Sequence, residues 1–328
     1  YYLHLFHRKQ PDLNWDNPDV RSAVYKMMNW WLDRGVDGFR MDVINLISKD
    51  PGLPDGVVYP GRAWGEGFPH FSEGPHLHEY LAEMRREVFE GRSGTMTVGE
   101  CPGVRRDNVL LFTDPARCVF QFDHVDLGLE AGKFHPRPLR PGELADCLSA
   151  WQEAQGEVGW NSLYLDNHDQ PRAVSRFGDE AWRCESATAL ATALHMLRGT
   201  PYVYQGEELG MTNSVFGGID DYRDVEALRY YREAVESGES PESVLKGLAF
   251  TGRDNARTPV QWDASENAGF TEGTPWIGVT PNYRDINAAS QVDDPSSVYA
   301  YYRALADIRH GLPVIAAGSF ERIETPSP

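Results

Sequence analysis

The sequence predicts an α/β protein built on parallel strands. Two observations predict this class: short apolar runs alternate with longer amphipathic stretches, and polar side chains follow most of the apolar runs. The five predicted strands cover residues 36–41, 95–99, 119–122, 162–165 and 201–204. Five strands cannot close an eight-stranded barrel. The sheet is therefore either open or an incomplete (β/α)8 TIM barrel with three strands absent at its front, and the motifs favour the incomplete barrel.

Helical patterns lie between and after these strands. They cover residues 18–32, 75–90, 141–155, 180–197 and 295–310. Asn17 is a suitable N-cap and Pro18 suits the first turn, while Gly311 and Pro313 end the last helix. The tract 206–294 is long and polar, with one predicted helical piece at 225–237, and loops of this length usually carry function or form a subdomain.

Charge and cysteine usage exclude some partners. The net charge of −18 argues against nucleic acids and anionic membrane surfaces, because both are polyanions. No apolar run approaches the roughly 20 residues of a membrane helix. The cysteines, at positions 101, 118, 147 and 184, have no metal-type spacing, which predicts reduced thiols in a cytoplasmic protein.

The first two predicted strands each end on a carboxylate. The first ends GFRMDV (38–43), and its alternation points Arg40 and Asp42 to the same side. A guanidinium beside a carboxylate keeps it ionised, as a carboxylate nucleophile requires. The second ends TMTVGE (95–100), and Glu100 facing Asp42 would gain the burial and nearby negative charge that suit a general acid.

A third carboxylate follows the fourth strand. The segment LYLDNHDQPR (163–172) places four polar residues, including His168 and Asp169, directly after an apolar run. Two close carboxyl groups serve retaining glycosidases, and a third can stabilise a cationic transition state. Metal binding is the competing interpretation, which is weakened by the single histidine and by Arg40 beside Asp42; no metal site is predicted.

These segments resemble the α-amylase superfamily (glycoside hydrolase family thirteen), and most closely its oligo-1,6-glucosidase and α-glucosidase branch. Further similar segments are YYLHLF (1–6), QPDLNW (10–15), VGECPG (98–103) and RDNARTPVQW (253–262). The resemblance covers nearly all 328 residues. It implies a (β/α)8 barrel of which this chain holds about strands four to eight.

The resemblance also implies residue roles. Asp42 would be the nucleophile and Glu100 the general acid/base, while Asp169 would bind sugar hydroxyls and stabilise the oxocarbenium-like state. The substrate-binding positions would be Phe6, Gln10, Arg40, Val43, His168, Arg253 and Arg257. In this branch, valine at the position of Val43 accompanies α-1,6 cleavage and a threonine-type residue accompanies α-1,4 cleavage.

The domain expectation is a partial catalytic barrel over residues 1–312 and the start of a linker over 313–328. The family's first three strands, its small inserted domain and its C-terminal β-sandwich are expected to be missing, so the fragment alone is expected to be inactive. No cofactor is predicted in these residues, although relatives often have a calcium loop in the missing N-terminal part. Calcium use and oligomeric state stay open.

The predicted function is hydrolysis, with retention, of terminal non-reducing α-linked glucose in short oligosaccharides or disaccharides, with isomaltose-like α-1,6 linkages favoured. A sucrose isomerase or transglucosylase is the first alternative. Isomerases of the family have clustered arginines after strand six, whereas residues 122–140 contain only Arg137 and Arg140. A non-catalytic scaffold is the alternative of another class, which the three retained carboxylates disfavour.

Overall fold

The computed structural model describes residues 1–59, 64–113, 117–130, 132–140 and 142–323. The contacts within the chain divide it into two units. The first comprises Tyr1–Phe122 with Glu157–Asn161, and the second comprises Asp123–Gly156 with Ser162–Pro328.

The first unit contains three helices and three strands among its described residues. The helices are α1 (Pro18–Leu32), α2 (Phe68–Phe71) and α3 (Leu77–Met84), and α3 continues as a π-helical turn at Arg85–Phe89. The strands are β1 (Gly38–Met41), β2 (Met96–Glu100) and β3 (Arg117–Phe120). As the sequence predicts, Asn17 caps α1, accepting a hydrogen bond from the Asp19 N–H at 2.9 Å.

The three strands form a parallel sheet in the order β1-β2-β3. Phe39 pairs with Thr97, and Met41 pairs with Gly99. Gly38 is required by this close pairing, because a Cβ there would lie 1.8 Å from the Met96 carbonyl oxygen. The register after Met41 and Gly99 brings the C-terminal ends of β1 and β2 side by side.

The second unit is mainly helical in its described part. Its strands β4 (Ser162–Leu163) and β5 (Thr200–Pro201) pair in parallel. Its helices are α4 (Glu143–Gln155), α5 (Ala173–Phe177), α6 (Arg183–Met196), α7 (Val225–Glu236), α8 (Pro241–Thr251), α9 (Asp254–Arg257), α10 (Ala288–Gln291), α11 (Val298–Gly311) and α12 (Pro313–Ala317).

Small side chains allow the long helices of the second unit to pack closely. Ala187 and Ala191 of α6 are buried against Val298, Tyr302 and Leu305 of α11. A second cluster joins α7 and α8 through Ala227, Ala234, Val244 and Leu248. Full burial of a valine or leucine side chain contributes about 1.5–3 kcal/mol, so Val298, Leu305, Val244 and Leu248 stabilise these helix pairs.

Each of the five predicted strands has a counterpart, but the bounds differ, and the strand predicted at 162–165 shortens to Ser162–Leu163. The strand predicted at 119–122 is Arg117–Phe120, and the one predicted at 201–204 shortens to Thr200–Pro201. The helix predicted at 180–197 begins with a 3₁₀ turn, Glu180–Trp182, before α6. Hydrogen bonding across the sheet sets strand boundaries, and apolar runs alone do not reveal it.

The prediction of one helical piece within residues 206–294 is wrong. Helices α8, α9 and α10 also lie there. The signal for α8 was present in the sequence: Ser240 is its N-cap, accepting a hydrogen bond from the Ser243 N–H at 3.1 Å, and Pro241 occupies its first turn. The abundance of Gly, Pro, Asn and Asp in the tract concealed that signal.

The described residues also bear on the expectations for a membrane helix and for the cysteine thiols. No helix in the described ranges is long and apolar enough to cross a membrane. Cys101 and Cys118 are buried, Cys184 is exposed, and no disulfide joins the four cysteines, all of which are described.

Candidate active site

The first unit places Arg40, Asp42 and Glu100 in direct contact. The Arg40 guanidinium donates through Nη1 to Asp42 Oδ1, and its Nη2 lies 3.0 Å from Glu100 Oε2. The period-two prediction that Arg40 and Asp42 share one side of β1 is confirmed. Because both carboxylates touch one small planar group, they lie beside each other at the ends of β1 and β2.

The two carboxylates have contrasting environments. The Asp42 side chain is 76% exposed, whereas that of Glu100 is 11% exposed. Burial raises the pKa of Glu100, and the nearby Asp42 charge adds to this, although Arg40 and the Val43 N–H act in the opposite direction. An exposed carboxylate on an arginine and a buried carboxyl with a raised pKa form the pairing that divides nucleophile from acid in glycoside hydrolysis.

Val43 contributes to this arrangement through its backbone. It adopts a left-handed conformation with φ 33° and ψ 47°, which is strained for a β-branched residue. In this conformation its N–H donates to Glu100 Oε2 at 3.2 Å. Glu100 Oε2 therefore faces two donors, the Val43 N–H and Arg40 Nη2.

Gly99 sets the approach of β2 to the turn after β1. A Cβ at Gly99 would lie 2.7 Å from Cγ2 of Ile44. Ile44 is buried directly after Val43, so a larger residue at position 99 would push that turn away from Glu100.

The second unit contains another charged cluster, around Asp169. Arg257 Nη2 lies 2.7 Å and Arg253 Nη1 lies 3.4 Å from Asp169 Oδ1, while His168 Nε2 lies 3.5 Å from Oδ2. Burial would raise the pKa of Asp169, but His168, Arg253 and Arg257 together lower it. Asp169 is therefore held as a carboxylate, with a third of its side chain (32%) exposed.

The sequence reasoning missed Asp224, which belongs to the same cluster. Its side chain is 2% exposed and contacts both Arg253 and Arg257. An acidic residue ahead of the predicted helix at 225–237 was a visible N-cap signal. No local sequence pattern indicates its pairing with Arg253 and Arg257, which follow it by 29 and 33 positions.

The remaining predicted positions lie elsewhere in the first unit. Phe6 and Gln10 precede α1 and are exposed, and their hydrogen bonds are local: His4 Nδ1 lies 2.9 Å from the Phe6 carbonyl oxygen, and Gln10 Oε1 accepts from the His7 N–H at 3.3 Å. Within the described ranges, no group of three or more His, Cys, Asp or Glu side chains is arranged to hold a metal ion.

Comparison with known proteins identifies the family. Residues 1–318 match the family model described as alpha amylase, catalytic domain. The chain belongs to this family, whose catalytic domain is a (β/α)8 barrel. The superfamily resemblance drawn from the sequence motifs is thereby confirmed.

Named relatives narrow the branch. The oligo-1,6-glucosidase of Parageobacillus thermoglucosidasius is 55% identical over 330 residues, covering 98% of this chain and 58% of that protein. The crystal structure of Bacillus licheniformis trehalose-6-phosphate hydrolase has a TM-score of 0.88 at 46% identity, covering 97% of this chain and 57% of that one. Isomaltulose synthase from Erwinia rhapontici NX5 has a TM-score of 0.90 at 44% identity, with coverages of 97% and 58%. The chain thus spans less than two thirds of these relatives.

The environment of Glu100 predicts how its replacement changes stability with pH. A raised pKa in the folded state means that folding penalises the ionised form, so this penalty appears as pH rises through the folded-state pKa and is absent below the ordinary value of 4.5. Glu100→Gln should therefore raise the melting temperature near neutral pH, and the gain should vanish in acid. Differential scanning calorimetry at several pH values measures this.

The matched control is Glu153→Gln, at an exposed position of α4. It should leave the melting temperature nearly unchanged across the same pH range. A Glu100→Gln variant that is less stable near neutral pH than in acid, relative to the unsubstituted protein, would contradict the assignment of a destabilised buried carboxylate.

Proposed function

We propose that the protein containing this chain is a retaining α-glucosidase. It removes terminal non-reducing α-linked glucose from short oligosaccharides or disaccharides by double displacement. The observation that carries the proposal is the Arg40 guanidinium held between an exposed Asp42 and a buried Glu100. The names of the relatives, which include oligo-1,6-glucosidase and alpha-glucosidase, support the same class of reaction.

In the first step, a carboxylate oxygen of Asp42 attacks the anomeric carbon and the bond to the leaving oxygen breaks. Glu100 gives its proton to that oxygen from Oε1, because Oε2 already faces the Val43 N–H and Arg40 Nη2. In the second step, Glu100 takes a proton from water, the water oxygen attacks the same carbon, and Asp42 is released. Two inversions give net retention.

A sugar-binding role for Asp169 in the same reaction rests on the sequence resemblance, and the contacts of its carboxylate suit that role. Its carboxylate can accept hydrogen bonds from the hydroxyls of the terminal glucose, and its negative charge favours the cationic transition state. Arg253, Arg257 and His168 hold that carboxylate ionised. Phe6 and Gln10 are proposed to line the glucose pocket, which rests on the sequence resemblance.

A preference for α-1,6 linkages is the finer part of the proposal. Val43 follows Asp42 directly, and its left-handed backbone directs its N–H to Glu100. Its apolar side chain offers no hydrogen bond where the leaving sugar would depart. Relatives named oligo-1,6-glucosidase and glucan 1,6-alpha-glucosidase support this linkage.

An isomerase reading has one observation in its favour, the similarity to isomaltulose synthase. The arginines in residues 122–140 weigh against it. Arg137 Nη2 lies 2.5 Å and Arg140 Nη2 lies 3.3 Å from Glu143 Oε1 at the start of α4. These contacts engage both arginines with the first residue of α4, which weighs against a role for them as a clamp on sugar.

The proposal predicts that Asp42→Ala abolishes turnover, because no group then attacks the anomeric carbon. Release of p-nitrophenol from p-nitrophenyl α-glucoside by the protein containing this chain should fall by about 10⁴-fold or more. Asp37→Ala is the matched control, since Asp37 is exposed just before the other end of β1. Turnover by Asp42→Ala equal to that of the control would remove the enzyme assignment.

The linkage proposal predicts a change in preference for Val43→Thr. The ratio of kcat/KM for isomaltose to that for maltose should fall by about tenfold, because one changed group in a pocket is worth roughly 1–3 kcal/mol of discrimination. Steady-state kinetics on both disaccharides measure the ratio. An equal ratio in both proteins would show that position 43 does not set linkage preference, while leaving the α-glucosidase assignment intact.

A further inference from the structure

We propose that Asp224 is a positioning residue for sugar binding. It divides two arginine side chains between itself and Asp169, and so leaves one oxygen of Asp169 open to the hydroxyls of the substrate. The inference rests on the proposed α-glucosidase function and adds to it a residue that the sequence motifs do not indicate.

Asp224 forms a two-point pair with Arg253. Arg253 Nη2 donates to Asp224 Oδ1 at 2.8 Å, and Arg253 Nε donates to Oδ2 at 3.1 Å. Such fork-to-fork pairs are stronger and more directional than single contacts. Because the Asp224 side chain is 2% exposed, water competes little for this pair.

Arg257, in contrast to Arg253, lies closer to Asp169 than to Asp224. Its Nη2 donates to Asp169 Oδ1 at 2.7 Å, and its Nη1 reaches Asp224 Oδ1 at 3.4 Å. Arg253 likewise keeps a longer contact of 3.4 Å with Asp169. Each guanidinium therefore contacts both Asp224 and Asp169, one at a shorter and one at a longer distance, and Glu226 is a third carboxylate beside Arg253.

The consequence for Asp169 concerns which of its oxygens is engaged. The contacts of both arginines with Asp169 are made at Oδ1, whereas His168 Nε2 lies 3.5 Å from Oδ2, too far for a strong hydrogen bond. Oδ2 is thus the oxygen left to accept sugar hydroxyls. Without Asp224, the carboxylates left beside the two guanidiniums would be Asp169 and Glu226, so both arginines would draw more strongly on Asp169 and compete with the sugar for it.

Asp224 itself is fixed by backbone contacts. Its Oδ2 caps α7, accepting from the Ala227 N–H at 3.3 Å, and its own N–H donates to Asp254 Oδ1 at 3.1 Å. Glu226 Oε2 lies 3.3 Å from Arg253 Nε. The same oxygen lies 2.7 Å from Lys133 Nζ. The carboxylate thus stands at a helix start that packing and hydrogen bonds already hold, as a positioning group requires.

Asp224→Asn tests the negative charge of residue 224 separately from its role as the N-cap of α7. Asparagine caps helices as well as aspartate does, so α7 should stay intact while the carboxylate is lost. Titration calorimetry should show that Asp224→Asn weakens glucose binding by about tenfold or more. In a protein that already carries Asp169→Asn, the same substitution should weaken binding by less than about twofold, because the two residues act through shared arginines. Kinetics should show the loss mainly in KM.

Asp179→Asn is the matched control, since Asp179 accepts the Ala181 N–H at 2.9 Å as an N-cap but is exposed. It should leave glucose affinity unchanged. If Asp224→Asn does not fold, Asp224→Ser removes the carboxylate while keeping a capping oxygen. Equal losses in both backgrounds, or no loss, would overturn the inference. Absence of glucose binding by the unsubstituted protein would instead overturn the proposed function.

Discussion

The contact of one guanidinium with two carboxylates organises the site. Arg40 holds Asp42 and Glu100 together at adjacent strand ends, where two negative charges would otherwise repel each other. The parallel register of β1 and β2 makes the contact possible, because Met41 pairs with Gly99 and the next residues emerge side by side. Burial raises the pKa of the Glu100 carboxyl, whereas the Asp42 side chain stays exposed.

Two features of the site oppose stability. Burial of Glu100 penalises its ionised form, and Val43 is held in a conformation that β-branched residues avoid. In the second unit the pKa of a carboxylate is shifted in the opposite direction. His168, Arg253 and Arg257 keep Asp169 ionised, and the buried Asp224 offsets part of the positive charge of the arginines. Burial thus raises the pKa of Glu100, whereas neighbouring cations lower the pKa of Asp169.

The sequence predicts the parts of this arrangement that depend on local periodicity. Alternation along β1 was sufficient to put Arg40 and Asp42 on one side, and Asn17 with Pro18 was sufficient to locate the start of α1. The left-handed turn at Val43 was not predictable, because valine itself disfavours it and only the surrounding fold imposes it. The role of Asp224 depends on partners distant in sequence, which no local pattern encodes.

Trapping the covalent intermediate tests the central claim most directly. A fluorinated glucosyl fluoride with a good leaving group should react with the protein containing this chain and break down slowly, because fluorine on the sugar ring disfavours the oxocarbenium-like state of the second step. Peptide mass mapping should locate the glucosyl label on Asp42, the carboxylate exposed beside Arg40. A label on Glu100 or on another residue, in a protein that still hydrolyses α-glucosides, would contradict the account.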